Sequence, residues 1–121
     1  MSAADDVINA ERDALAAELA VALGEGITVT TDVRGLNPPC VLVGVPTGEV
    51  AVVRTCRILF PVHVVATAPG NDDAVRWILA RLWTVLVAVR PVLEWRPGPY
   101  EAGDRTYPAE TLIVARDVAF C

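Results

Sequence analysis

The stretch Asn71 to Arg90 constrains this chain more than any other. Asn71 is a good helix N-cap, because its side-chain oxygen can accept a bond from an orphan backbone N–H. Asp72 and Asp73 then fall in the first turn, where the helix dipole favours negative charge, and Arg90 falls at the other end, where it favours positive charge. Pro91 follows, and the residue before a proline is pushed out of the helical region. The spacing therefore predicts a helix about 30 Å long. Val75, Ile78, Leu79, Leu82, Leu86 and Val89 recur at helical spacing and form the expected core stripe, with Arg76, Arg81 and Thr84 marking the opposite side. Trp77, Trp83 and Val87 carry apolar surface around the flanks, beyond what packing on one sheet face requires. Two readings stand: the helix is covered on its flanks by other parts of the chain, or a flank meets another subunit.

A helix of this kind needs a sheet to pack on, and the rest of the chain supplies strands. Asp5 to Leu23 is predicted as a first helix with a stripe of Ile8, Leu15, Leu19, Ala22 and Leu23, started by Ser2 or Asp5 and ended by Gly24 and Gly26. Ile27 to Val33 alternates: Ile27, Val29 and Val33 point one way, and Thr28, Thr30 and Asp32 the other. After the stiff loop Asn37-Pro38-Pro39, Cys40 to Val45 is a second strand. Pro46-Thr47-Gly48-Glu49 is a turn signal, and Val50 to Thr67 a long third strand with a bend expected near Arg54 or Pro61. On it Ile58, Phe60, Val62, Val64 and Ala66 share one face, and Arg57, His63 and Thr67 the other. Pro61 lacks an N–H and belongs on an edge or at a bulge. The hairpin so formed should project a tip near Thr47 and Gly48.

Beyond the central helix, Val92 to Trp95 is a short strand and Arg96 to Pro99 turns the chain or holds it extended. Tyr100 to Tyr107 is a mobile loop or a second hairpin, and Glu110 to Phe120 is the last strand, with a bulge or a change of burial. The order helix, three strands, helix, two strands predicts a single α+β domain over residues 1–121: an antiparallel or mixed sheet with a long β-hairpin, flanked by two helices. With 121 residues, one domain with a real core is the natural reading.

Composition narrows the function classes. The chain is 54 % hydrophobic and 21 % charged, apolar enough to hint at self-association. No apolar run has the length of a membrane span, and no basic region precedes an apolar block at the start, so the expected location is the cytosol. All ten basic residues are Arg, and the net charge is −5, which argues against a sequence-reading DNA binder. Cys40, Cys56 and Cys121 lie too far apart for a paired metal spacing, and a disulfide framework is not expected. His63, the one histidine, lies seven residues from Cys56; in a regular strand the two point to opposite faces, which leaves no nucleophile–base pair. Asp72 and Asp73 read as residues matching the helix dipole rather than as metal ligands. No cofactor, metal or catalytic residue is expected.

The whole layout resembles the tail terminator proteins of long-tailed, siphovirus-type bacteriophages. The residues behind the likeness are an Ala-rich first helix ending in Gly24-Glu25-Gly26, the strand Ile27 to Val33, and the loop Asn37-Pro38-Pro39 before Cys40-Val41-Leu42-Val43. The long strand Arg57 to Thr67 running into Asn71-Asp72-Asp73 completes it. The Trp-rich helix and Arg96 to Pro99 match no motif of that family. The resemblance implies a virion protein at the head–tail interface, made in the host cytoplasm, and not an enzyme. Its partners would be further copies of itself in a ring, generally a hexamer, the tail-tube protein and a head-side connector or stopper. DNA would pass through the lumen without specific binding.

On this reading the candidate subunit contacts are Trp77, Arg81 and Trp83 on the helix flank, facing Arg57 of a neighbour. Thr47, Gly48 and Glu49 at the hairpin tip, with Gly98, Pro99 and Tyr100 in the late loop, are candidate tube or connector contacts. Another small head–tail joining protein is the nearest alternative. A dimeric cytosolic ligand-binding or regulatory domain is a more distant one, and it predicts a two-fold assembly with a pocket.

Overall fold

A computed structural model describes residues 6–50, 55–67 and 71–119. It is an α+β architecture: two helices pack on one face of a six-stranded mixed sheet. The elements are α1 (Val7–Leu23), β1 (Thr28–Thr30), β2 (Cys40–Val43), β3 (Thr47–Val50), β4 (Thr55–Val65), α2 (Asp72–Ala88), β5 (Val92–Pro97), β6 (Tyr100–Ala102), β7 (Arg105–Tyr107) and β8 (Ala109–Ala119). The sheet runs β1-β2-β4-β8-β5, with β3 also on β4; β1 is parallel to β2, and every other pair is antiparallel.

The axis of the sheet is the eleven-residue pair β4 and β8, matched from Thr55↔Ala119 to Val65↔Ala109. Strict alternation on β4 sends Ile58, Phe60, Val62 and Val64 into the core with Ala66, as the parity predicts. From β8, Leu112 and Val114 join them, and from β2, Val41 and Val43. The helices close this face with Leu15 and Leu19 of α1 and with Ala74, Ile78, Leu82 and Val85 of α2, continued by Val89. Fully burying a side chain such as Phe60 or Leu82 contributes about 1.5–3 kcal/mol.

One partner edge of β4 is shared. Its second half, Val62 to Val65, pairs with β2, and its first half, Cys56 to Leu59, pairs with β3. Pro61 sits at the break between them, inside a long strand rather than on a sheet edge. Its carbonyl accepts from Gly44 N–H at 2.7 Å, so its N–H-less nitrogen faces the same gap, where Gly44 to Pro46 interrupt the partner. The interruption removes the need for the missing donor. The expected tip at Thr47 and Gly48 is therefore corrected: these residues form strand β3, and the connection to β4 lies outside the described residues, as does the suggested bend at Arg54.

The central helix starts where its cap predicts. Asn71 Oδ1 accepts from Ala74 N–H at 3.0 Å, and Asp72 and Asp73 occupy the first turn. Its core face is turned in part from the expected stripe. Val75 and Leu79 are 46 % and 42 % exposed; Ile78, Leu82 and Val89 of the expected stripe are buried and Leu86 packs against the core, while Ala74 and Val85, outside that stripe, join them. Ile8, expected in the α1 stripe, is likewise 51 % exposed. The suggested caps Ser2 and Asp5 lie outside the described residues; Asp6 precedes α1 and makes no side-chain cap bond.

Two arginines tie the layers together. Arg12 of α1 donates to the carbonyls of Thr31 and Val43 at 2.6 and 2.9 Å. Arg116 of β8 donates to Glu18 of α1 at 2.9 Å and to the carbonyl of Arg90, just past α2. On the far face of the sheet, β6 and β7 make a small hairpin around Gly103, with φ +64, the second of the two forms expected for this segment. Tyr100 and Tyr107 pack there over Cys40, Val65 and Ala109.

Candidate assembly surface

An exposed apolar arc follows from the turned helix. Val75, Leu79, Trp83 and Val87 are spaced by four, so they climb one side of α2. They are 46 %, 42 %, 68 % and 54 % exposed. Next to this arc runs β5, the last strand on its side of the sheet. Trp95 is opposite Leu112 and Val92 opposite Val114, so both lie on the helix-bearing face. Trp95 is about half exposed and holds its indole N–H on Glu110 Oε2 at 3.1 Å, and Leu93, at the bulge between Val92 and Glu94, is also half exposed. A notch of about 230 Å³ opens between the helix, the segment just after β5 and the start of β8, lined by Val75, Ile78, Leu79, Gly98, Pro99, Pro108, Ala109 and Glu110. The helix arc and the notch share Val75 and Leu79.

The structure separates the residues proposed from sequence. Trp77 and Arg81 lie on the other flank of α2, with the Arg81 guanidinium 5.2 Å from the Trp77 ring centre. Trp77 is half-buried against the core, and Arg81 Nε is buried with no hydrogen-bond partner among the described residues. Trp83 stands on the exposed arc. Arg57 points to the opposite face of the sheet, where it donates to Asp117 at 2.9 Å. That bond is the main reason why the Asp117 carboxyl lies below the usual carboxylate range and the Arg57 guanidinium above its own.

Thr47, Gly48 and Glu49 are exposed along β3. Gly98 and Pro99 border the notch beside α2. Tyr100 turns inward and meets the His63 ring at 4.9 Å between ring centres. Sequence reasoning passed over Leu93 and Trp95, although two large apolar residues in a strand just after a proline-ended helix were the available signal.

The titratable groups inside the fold do not converge. His63 Nδ1 lies 2.7 Å from Thr111 Oγ1, and burial lowers the His63 pKa below its ordinary value. Cys56 packs on the helix-bearing side and His63 on the other, as their spacing predicts. Burial pushes the Cys40 thiol up, away from thiolate reactivity. Among the described residues no three of His, Cys, Asp and Glu gather in a metal-binding group, and no helix is long and apolar enough to cross a membrane. Neither a protein-family model nor a curated protein sequence matches the chain. This surface offers contact: desolvation of aromatic and aliphatic groups near β5, the terminal strand of the sheet among the described residues.

Proposed function

We propose that this chain is a structural virion protein of the tail-terminator kind. Copies close into a ring on the last ring of a phage tail tube, end its growth and present a surface to the head-side connector. The observation that carries the reading is the apolar arc Val75, Leu79, Trp83 and Val87 beside Leu93 and Trp95 on the edge strand. Exposed apolar surface of this extent beside a terminal strand of the sheet is the usual mark of a protein–protein contact. The layout of long hairpin, central helix and closing strands supports the same reading by its resemblance to that family. A net charge of −5 per copy suits a lumen through which DNA slides without being held.

Purified protein added to growing tail tubes tests this. Rings seated on one tube end, with elongation halted, are the expected result. Binding along the tube wall, or tubes that lengthen unchanged, contradicts it. Seating on a connector instead of a tube end would assign the chain to the neighbouring class of head–tail joining proteins.

A further inference from the structure

The β6–β7 hairpin lies on the sheet without belonging to it. Its strands pair only with each other, Tyr100 with Tyr107 and Ala102 with Arg105, and with no strand of the six-stranded sheet. A lone two-stranded ribbon is marginal in water. One foot is tied by the Ala66 N–H, which donates to the Pro108 carbonyl at 2.9 Å. Beyond that foot, side chains hold the ribbon down. Tyr100 and Tyr107 pack over Cys40, Val65 and Ala109, and the Tyr100 ring lies 4.9 Å from the His63 ring.

His63 is the one histidine of the chain, so it is the side chain whose ordinary titration falls between pH 5 and 8. Burial holds its pKa below the ordinary value. Its surroundings offer no free counter-charge among the described residues. On β8 it meets Thr111, whose Oγ1 lies 2.7 Å from Nδ1. On β2 it stands opposite Leu42, with Cys40 next on the same face, and burial pushes that thiol up so that it stays protonated. The hairpin contributes Tyr100, whose hydroxyl burial also pushes up, with Tyr107 and Arg105 on the same side of the ribbon and Glu101 on the outer side. On β5, Arg96 lies opposite Thr111 and is paired with Glu94. Arg12 and Asp32 line the cavity that Leu42, Gly44 and Tyr100 share; Arg12 is bonded to the carbonyls of Thr31 and Val43, and Asp32 is held by Arg34.

We infer that the β6–β7 hairpin is a pH-sensitive latch: a second proton on His63 lifts Tyr100 from the imidazole and frees the hairpin from the far face, while the six-stranded sheet stays intact. The charged ring regains water once the aromatic cover leaves. The sheet persists because the eleven residue pairs of β4 and β8 do not involve the hairpin. Gly98, Pro99 and Pro108, at the two ends of the hairpin, form one wall of the notch beside Val75 and Leu79, so release also reshapes that notch. In the open form His63 returns to its ordinary value of 6.5. Opening at pH 5.5 then exceeds opening at pH 7.5 by up to about tenfold.

Amide hydrogen exchange of the full chain at pH 7.5 and pH 5.5, corrected for the intrinsic effect of pH on exchange, tests the latch. Peptides of the hairpin are compared with peptides of β4 and β8. Hairpin protection should fall by up to about tenfold at the lower pH, while β4 and β8 keep theirs. In His63→Gln, which can still hydrogen-bond Thr111 but does not titrate, hairpin protection should be the same at both pH values. Should that variant fail to fold, Tyr100→Ala carries the test: without the covering ring its hairpin should be equally open at both pH values. Hairpin protection that stays constant or rises at pH 5.5 in the unaltered chain overturns the proposal. So does a fall of the same size in His63→Gln or Tyr100→Ala. A loss shared equally by hairpin, β4 and β8 overturns it too, because the whole fold would then be opening.

Discussion

The ring of Tyr100 lies against the imidazole of His63, 4.9 Å between centres and inclined by 48°. This contact holds the β6–β7 hairpin on the far face of the sheet. It also leaves His63 facing Thr111 of β8, Tyr100 of β6 and Leu42 and Gly44 on the β2 side, with no carboxylate among the described residues to stabilise a second proton.

That environment predicts a pH dependence. Burial lowers the His63 pKa in the folded chain below its ordinary value of 6.5. The unfolded chain therefore takes up a proton at higher pH than the folded chain does. The stability linked to His63 is fully present above about pH 6.5 and is lost as pH falls through the lower folded value. Urea unfolding at pH 7.5 and at pH 5.5 should show a smaller midpoint at the lower pH. In His63→Gln the difference between the two should shrink. An unchanged difference would show that other groups cause it.

Gly44 is predicted to tolerate no side chain. A Cβ there would stand 2.9 Å from Pro61 Cγ and 3.0 Å from His63 Nε2, and the proline ring cannot swing away. Gly44→Ala should cost about 1–3 kcal/mol, as overpacking of a tight site does. Chemical denaturation measures it, and a loss below a few tenths of a kcal/mol would mean that the β2–β3 junction yields easily.

The two tryptophans of α2 should behave differently. Trp77 packs on the core, whereas Trp83 is 68 % exposed. Trp77→Glu should lower the unfolding midpoint by destabilising the monomer, with a loss on the order of 2–4 kcal/mol. Trp83→Glu should leave the isolated fold within about 0.5 kcal/mol of the unaltered one and act on assembly instead. Equal loss of stability in both would place Trp83 in the core.

How much of this was legible in the sequence depends on what each signal encodes. The limits of α2 were readable because Asn71, Asp72 and Pro91 act locally, on the backbone beside them. The faces of β4 were readable because Arg57 and His63 mark one parity as the polar side while Ile58, Phe60, Val62 and Val64 make the other wholly apolar. The facing of α2 was legible only in part: Ile78, Leu82 and Val89 were placed correctly, Val75 and Leu79 were not. Two adjoining spirals, Ala74-Ile78-Leu82-Val85 and Val75-Leu79-Trp83-Val87, are both apolar, and only the sheet decides which is covered. Ala74 made the choice harder, since a small residue gives little weight to a stripe. The place of Pro61 was equally hidden, because the break opposite it lies in another strand. The same ambiguity concealed the assembly surface: a helix apolar on both spirals reads as overburied until one of them is seen exposed.

The most direct test of the central claim is the light-scattering mass of the unaltered chain across a wide range of concentrations, with negative-stain images of any large species. The account predicts closed rings of about six copies. A two-fold dimer of constant mass at every concentration would contradict it, and would point to a binding module joined through the α2 arc.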